Sequence, residues 1–119
     1  MSGDWVVFRG TNEEIVAAWI ARSWRAGRNY GGTLFFEDRT IYSYGWHFPI
    51  ARRLGGFAVL FNPGRYSPTT SRHQNLVRRA CEGLTVYDCP PNEWDAKEQE
   101  LIEKAMRQIE YGSLSDVAC

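Results

Sequence analysis

Thr33-Leu34-Phe35-Phe36-Glu37-Asp38-Arg39-Thr40-Ile41-Tyr42-Ser43-Tyr44 places two runs of β-forming residues on either side of a short polar segment. Branched and aromatic side chains suit the half-buried surface of a strand. Glu37, Asp38 and Arg39 supply the turn, so the stretch predicts a β-hairpin, and with it an antiparallel sheet. Beyond the hairpin, Gly45 permits a bend, and Pro49 is expected to limit regular pairing in 46–50. Arg52-Arg53-Leu54-Gly55-Gly56 reads as a basic turn. Phe57-Ala58-Val59-Leu60-Phe61 is a continuous apolar run, as expected of a central strand covered on both faces. Asn62-Pro63-Gly64-Arg65 is a turn signal leading to a short strand at Tyr66-Ser67.

On the N-terminal side, Trp5-Val6-Val7-Phe8 reads as a strand ended by Gly10. Thr11 and Glu14 have capping-box spacing. The helix they open is expected to reach about Ala26, with Ile15, Val16, Trp19, Ile20 and Trp24 on one face and Gly27 as its stop. Residues 28–32 read as a loop. On the C-terminal side, Ser71 and Gln74 again have capping-box spacing, which makes Ser71 the expected N-cap of a second helix. Leu76, Val77, Ala80 and Cys81 form its stripe. Leu84–Tyr87 reads as the last strand. Asn92 is expected to cap a third helix to about Tyr111, with Trp94, Leu101, Ile102, Ala105, Met106 and Ile109 on its apolar face. The sum is an α+β fold: a single domain over 1–112, a mainly antiparallel sheet of four to five strands with three helices packed on it, and a tail at 113–119.

The composition agrees with one domain. The chain has 119 residues, 44% apolar and 24% charged, close to an ordinary globular domain and far from disordered or collagen-like sequence. No apolar run approaches the ~20 residues of a membrane span. The N-terminus lacks the basic start and apolar core of a secretory signal, so a cytoplasmic location is expected. Cys81, Cys89 and Cys119 are odd in number and have no C-x-x-C spacing, as expected of free thiols rather than a disulfide or zinc framework.

Net charge is zero, but it is unevenly placed. Residues 1–81 hold 11 basic and five acidic side chains, and residues 82–119 hold three basic and nine acidic ones. From Arg22 to Arg79 there are ten Arg and two acids, interleaved with aromatics such as Trp24, Tyr30, Tyr42, Tyr44, Trp46 and Tyr66. That pattern fits phosphate contacts and base stacking, or an interface with an acidic protein. It equally fits core aromatics with a solvated Arg face paired to the acidic helix, whose acids include Glu93, Asp95, Glu98, Glu100 and Glu103.

Two segments concentrate chemistry: Tyr44-Gly45-Trp46-His47-Phe48-Pro49-Ile50-Ala51 and Tyr66-Ser67-Pro68-Thr69-Thr70-Ser71-Arg72-His73-Gln74. They contain both histidines. Thr69, Thr70 and Ser71 put hydroxyls beside the free N–H groups of a helix start, a combination suited to phosphate or carboxylate. The structural alternatives are a buried His47 bonded to backbone and a Thr69-Thr70-Ser71 run that only caps its helix. Two histidines without a third ligand at a fitting spacing do not make a metal site, and no nucleotide-cofactor motif is present, so neither metal nor cofactor is expected.

The paired segments resemble a small domain of phages and other mobile elements that has no settled activity. The match runs through Tyr44, Gly45, His47 to Ala51, then Tyr66, Ser67 and Thr69 to Gln74, within the span Thr33–Arg79. The resemblance implies an accessory protein acting inside a bacterial host cell. By origin and size, it implies an anti-CRISPR-like inhibitor that binds a host protein or ribonucleoprotein complex without catalysis. The binding residues expected on the basic side are Tyr44, Trp46, His47, Arg52, Arg53, Arg65, Tyr66, Thr69, Thr70, Ser71, Arg72 and His73. An acidic helix face is the alternative docking surface. Two further functions stay open. One is binding of RNA or single-stranded DNA. The other is a metal-independent nuclease, with His47 and His73 as base and acid and Arg72 stabilising phosphate charge.

Overall fold

The computed structural model describes residues 7–56 and 58–118, with side chains described to residue 108. Seven strands form one sheet: β1 (Phe8–Gly10), β2 (Ala26–Asn29), β3 (Leu34–Glu37), β4 (Thr40–Ser43), β5 (Pro49–Leu54), β6 (Ala58–Phe61) and β7 (Thr85–Asp88). Their spatial order is their sequence order. The hairpin forms as expected, with Phe35 opposite Tyr42 and Phe36 opposite Ile41. The pairings from β2 to β6 are antiparallel, but β1 pairs parallel with β2 and β6 parallel with β7. The sheet is therefore mixed, and larger than the four to five mainly antiparallel strands the sequence predicts.

The added strands come from segments read as something else. The first helix, α1 (Asn12–Ala21), has the Thr11–Glu14 capping box, but it ends at Arg22, which takes a left-handed φ of 57° and donates its N–H to the Ala18 and Trp19 carbonyls. Gly27 is not a helix stop. It lies opposite Phe36 in the β2–β3 ladder, and a Cβ there would run into the Phe36 ring. Glycine is needed because the ring crosses the backbone. Pro49 opens β5 rather than blocking it, and the Arg52-Arg53 pair lies within that strand instead of in a turn. A register shift between Ile41 and Tyr42 takes up the irregularity.

A parallel pair needs a crossover connection. α1 supplies one and α2 (Pro68–Ala80) the other, and both pack on the same face of the sheet. Their core holds Ile15, Val16, Trp19, Leu34, Phe36, Ile41, Ile50, Val59, Val77 and Cys81. The N-cap of α2 is Ser67 rather than Ser71: its hydroxyl accepts from the Thr70 N–H at 3.1 Å. Pro68 explains the shift, because its fixed φ and missing N–H suit the first helical position. Tyr66 and Ser67 form no strand. Trp5 and Val6 of the expected first strand, Phe57 of the apolar run, and Cys119 lie outside the described residues.

The opposite face carries α3 (Trp94–Ala118), entered through a single 3-10 turn at Pro91–Glu93 rather than an Asn92 cap. The helix continues through 113–118 instead of ending near Tyr111. Trp94 is buried with Leu54, Ala58, Leu60 and Cys89, and its indole N–H donates to the Cys89 carbonyl at 2.8 Å. Four residues on, Glu98 accepts from Arg39 at 2.6 Å and Arg52 at 3.2 Å, while Asp95 pairs with Arg52 at 2.7 Å. Beyond Leu101 the described side chains are exposed, so Ile102, Ala105 and Met106 do not form the buried stripe their spacing suggests. Ile109 lies outside the described side chains.

Docking by the first two turns alone makes a sharp contrast. Trp94→Ala should lower the unfolding free energy by about 3–5 kcal/mol, read from urea denaturation, whereas Ile102→Ala should change it by less than about 0.5 kcal/mol. Equal losses at the two positions would mean that the distal helix is packed in solution.

Candidate functional site

Strand direction gathers the loops. β3 and β5 run one way, and β1, β2, β4, β6 and β7 the other. The carboxyl ends of those five strands therefore open on one rim. It carries the starts of α1 and α2, the β2–β3 turn, residues 44–48, residues 62–67 and, past β7, the connection that begins at Cys89. Tyr30 is 73% exposed there, Trp46 and Tyr66 57%, and Tyr44 43%. Arg65 and Arg72 are exposed beside them.

Residues 44–48 form a tight turn. Tyr44 sits at a left-handed φ of 64° and donates its N–H to Thr33 at 2.8 Å, and Gly45 follows at φ 147°. The turn carries Trp46 back over the sheet face that α3 leaves uncovered, where it stands edge-on to Phe35 at 4.8 Å and Tyr42 at 4.9 Å. Arg28 lies over the Phe35 ring at 5.3 Å. A cleft of about 100 Å³ opens at this ledge, with Arg28, Phe35, Glu37 and Trp46 in its lining. On the other side of the turn, His47 meets Tyr66 edge-on at 5.8 Å and Phe48 lies 5.5 Å from the same ring. The two sequence segments thus meet in space.

Their meeting point is an interior chain of hydroxyls. Ser43 Oγ lies 3.0 Å from Thr70 Oγ1 and 2.8 Å from His73 Nδ1, and Ser67 Oγ donates to Thr70 Oγ1 at 3.2 Å. One proton assignment satisfies every member: Ser67 donates to Thr70, Thr70 to Ser43, and Ser43 to His73 Nδ1. The imidazole is then neutral, with its proton on Nε2. His73 is 1% exposed, and burial lowers its pKa below the ordinary imidazole value. Gln74 is interior too and donates to the Asn62 and Gly64 carbonyls at 2.9 and 2.8 Å.

The expected binding residues therefore divide. Tyr44, Trp46, His47, Arg65, Tyr66 and Arg72 reach solvent on the rim, while Thr69 and Ser71 are half-buried at the start of α2. Thr70 and His73 are interior. Arg53 is also interior: alternation along β5 turns it toward α1, where its Nε donates to the Trp19 carbonyl at 3.3 Å. Burial lowers its pKa. Arg52 points to the opposite face and is engaged by Asp95 and Glu98, with its guanidinium 5.4 Å from the Trp94 ring. The acidic face is similarly divided. Asp95 and Glu98 tie α3 to the sheet, and both pKa values are lowered, foremost by hydrogen bonds from Arg52 and Arg39 respectively. Glu100 pairs with Lys97 at 3.0 Å and Glu103 accepts from Gln99 at 3.2 Å, while Glu93 is exposed.

Ser43, Arg28 and Tyr30 are site residues outside the expected binding set, although Tyr30 is one of the aromatics interleaved with Arg. Tyr30 precedes Gly31-Gly32, a signal for an exposed turn. Among the described residues no group of three His, Cys, Asp or Glu is arranged to hold a metal, and no helix is long and apolar enough to cross a membrane. Cys81 and Cys89 are buried free thiols, and burial pushes Cys81 up to about 11, which makes it a poor nucleophile. Comparison with protein-family models, curated proteins and solved structures finds no match.

The neutral His73 sets an acid-side slope. Its folded pKa is depressed, so below about pH 6.5 the unfolded chain takes up a proton that the folded chain does not, and stability falls as pH drops. Denaturant titrations should give a stability that declines from about pH 6.5 downward by at most ~1.4 kcal/mol per pH unit from this group. The decline should be absent between about pH 6.5 and 5 in His73→Gln, where carboxylate protonation has scarcely begun. An unchanged slope in the variant would mean that His73 titrates alike in both states.

Proposed function

We propose that the protein is a non-enzymatic binding module for single-stranded nucleic acid, laid across the rim and the open aromatic ledge. The observation that carries this reading is the shared exposure of Tyr30, Tyr44, Trp46 and Tyr66 at one end of the sheet. Rings held on strand ends and tight turns offer stacking surfaces that tolerate any base. Arg28, Arg65 and Arg72 supply phosphate partners alongside them. Residues 30–33, 44–48 and 62–67 contain no acid, and acids enter the surface only at its borders, at Glu13 and Glu14 of α1, Glu37 on the ledge and Asp88 of β7. The reading without catalysis is supported by the interior position of His73, whose Nδ1 is committed to Ser43.

Fluorescence anisotropy with labelled RNA and single-stranded DNA tests this directly. Affinity should fall steeply with salt as counterions are released. Trp46→Ala should cost about 1–3 kcal/mol, and the oligonucleotide should be intact on a denaturing gel afterward. Absent or salt-insensitive binding would sink the reading, and shortened oligonucleotide would replace it with a nuclease.

A second reading rests on a different observation. Ile102 and Met106 are exposed on the projecting half of α3, beside Glu103. A helix with this mixture suits a partner protein with an apolar, basic groove. That is the form in which the inhibitor of a host defence complex, implied by the mobile-element resemblance, would act. The discriminating variants are Ile102→Lys with Met106→Lys. They should abolish capture of such a complex while leaving oligonucleotide affinity unchanged, and retention of capture would remove this reading.

A further inference from the structure

A separate cleft of about 270 Å³ lies where the β6–α2 loop meets α2. Phe61 and Pro63 form its apolar wall, and Arg65, Ser71, Asn75 and Arg78 bring polar groups to it. Its volume is just below the ~300 Å³ at which small-molecule pockets begin, a size for a fragment rather than a whole cofactor. The loop that shapes it is tied down. Besides the two Gln74 bonds, Asn62 donates through Nδ2 to the Pro49 carbonyl at 2.9 Å and accepts the Gly64 N–H at 2.9 Å. Arg78 is held by stacking over Phe61 at 4.1 Å. A shape fixed before binding lowers the ordering cost of a ligand.

The polar groups in this cleft are unevenly used. Among the described residues, the side chains of Arg65, Ser71 and Asn75 have no intramolecular partner. Arg78 shares its charge with Asp88 at 3.2 Å, and the lining residues of the cleft include no acid. Two guanidinium groups against one carboxylate leave the cleft net positive, with a hydroxyl and a carboxamide as neutral donors. Guanidinium forks match phosphate geometry, and their hydrogen bonds are charge-assisted.

We propose that this cleft binds a phosphomonoester dianion, the terminal phosphate of a bound oligonucleotide, between Arg65 and Arg78. The proposal rests on the nucleic-acid reading of the rim, which Arg65 and Tyr66 join to the cleft. Binding is then polar at its end as well as salt-dependent along its length: the strand starts in the cleft and crosses the rim. The Asp88 carboxylate opposes the ligand and limits its affinity.

The test compares one oligonucleotide sequence with a 5′-phosphate, a 3′-phosphate or hydroxyl ends, by anisotropy at fixed salt. One of the phosphorylated forms should bind about tenfold tighter than the hydroxyl form, as expected for a charge-assisted Arg–phosphate contact. Arg78→Gln, at a residue of the cleft outside the rim, should abolish that difference while leaving the affinity of the hydroxyl form within about twofold. Asp88→Asn should enlarge the difference, a change of opposite sign that a merely misfolded variant does not produce. Equal affinity for all three oligonucleotides overturns the cleft and leaves the rim reading standing. If no oligonucleotide binds, the rim reading falls, and the cleft is judged with inorganic phosphate and adenosine monophosphate alone. Shifts of the Ser71 and Asn75 amide resonances that Arg65→Gln removes support a phosphate site for small molecules, and unmoved resonances overturn it.

Discussion

The two parallel pairings at the ends of the sheet constrain everything else. A strand cannot return parallel to its neighbour through a tight turn, so β1–β2 and β6–β7 each require a helix to carry the chain back. Both helices lie on one face and share a core around Trp19 and Val77. That choice leaves the other face to α3 and to whatever α3 does not reach. It also fixes five strands in one direction, so the connections with the most exposed aromatic surface emerge together. The rim is a product of topology before it is a product of its side chains.

The opposed charges of the two halves of the chain meet only in part. Arg39 and Arg52 accept α3 through Glu98 and Asp95, and the Arg39 carbonyl also accepts from the Trp19 indole at 2.9 Å, so one turn residue ties together elements on both faces. Arg53 is spent inside. Arg28, Arg65 and Arg72, at the other end of the sheet, have no acidic partner among the described residues. The basic character of the rim is what remains after the acidic helix has been docked.

Much of this was legible in the sequence where local chemistry and tertiary context agree. The 33–44 hairpin and the Thr11–Glu14 box carry their own signals. Ala26-Gly27-Arg28-Asn29 does not: none of its residues favours a strand, and it becomes one because β1 and β3 pair with it from both sides. Pro49 and the Arg52-Arg53 pair mislead for the same reason, since β4 and β6 impose the extended form. The site was readable as two motifs, but neither their meeting in space nor their division into an inside and an outside was. Thr70, His73, Gln74 and Val77 recur at three- and four-residue spacing and form the buried side of α2. A reading that admits only apolar residues to a buried stripe assigns three of those four to the surface.

Because spatial order follows sequence order, the sheet can be assembled as a succession of neighbours. Each antiparallel strand from β3 to β6 closes a short loop onto the one just before it, and none waits for a distant segment. Low sequence separation of contacts favours fast folding. The two helical crossovers are the long closures, and they sit at the first and last strand pairs, so the five strands β2 to β6 form a unit that neither has to precede. On a ribosome delivering the chain from its N-terminus, a growing edge is covered by the next strand soon after it is made. The period in which a bare strand edge is offered to other chains is correspondingly brief.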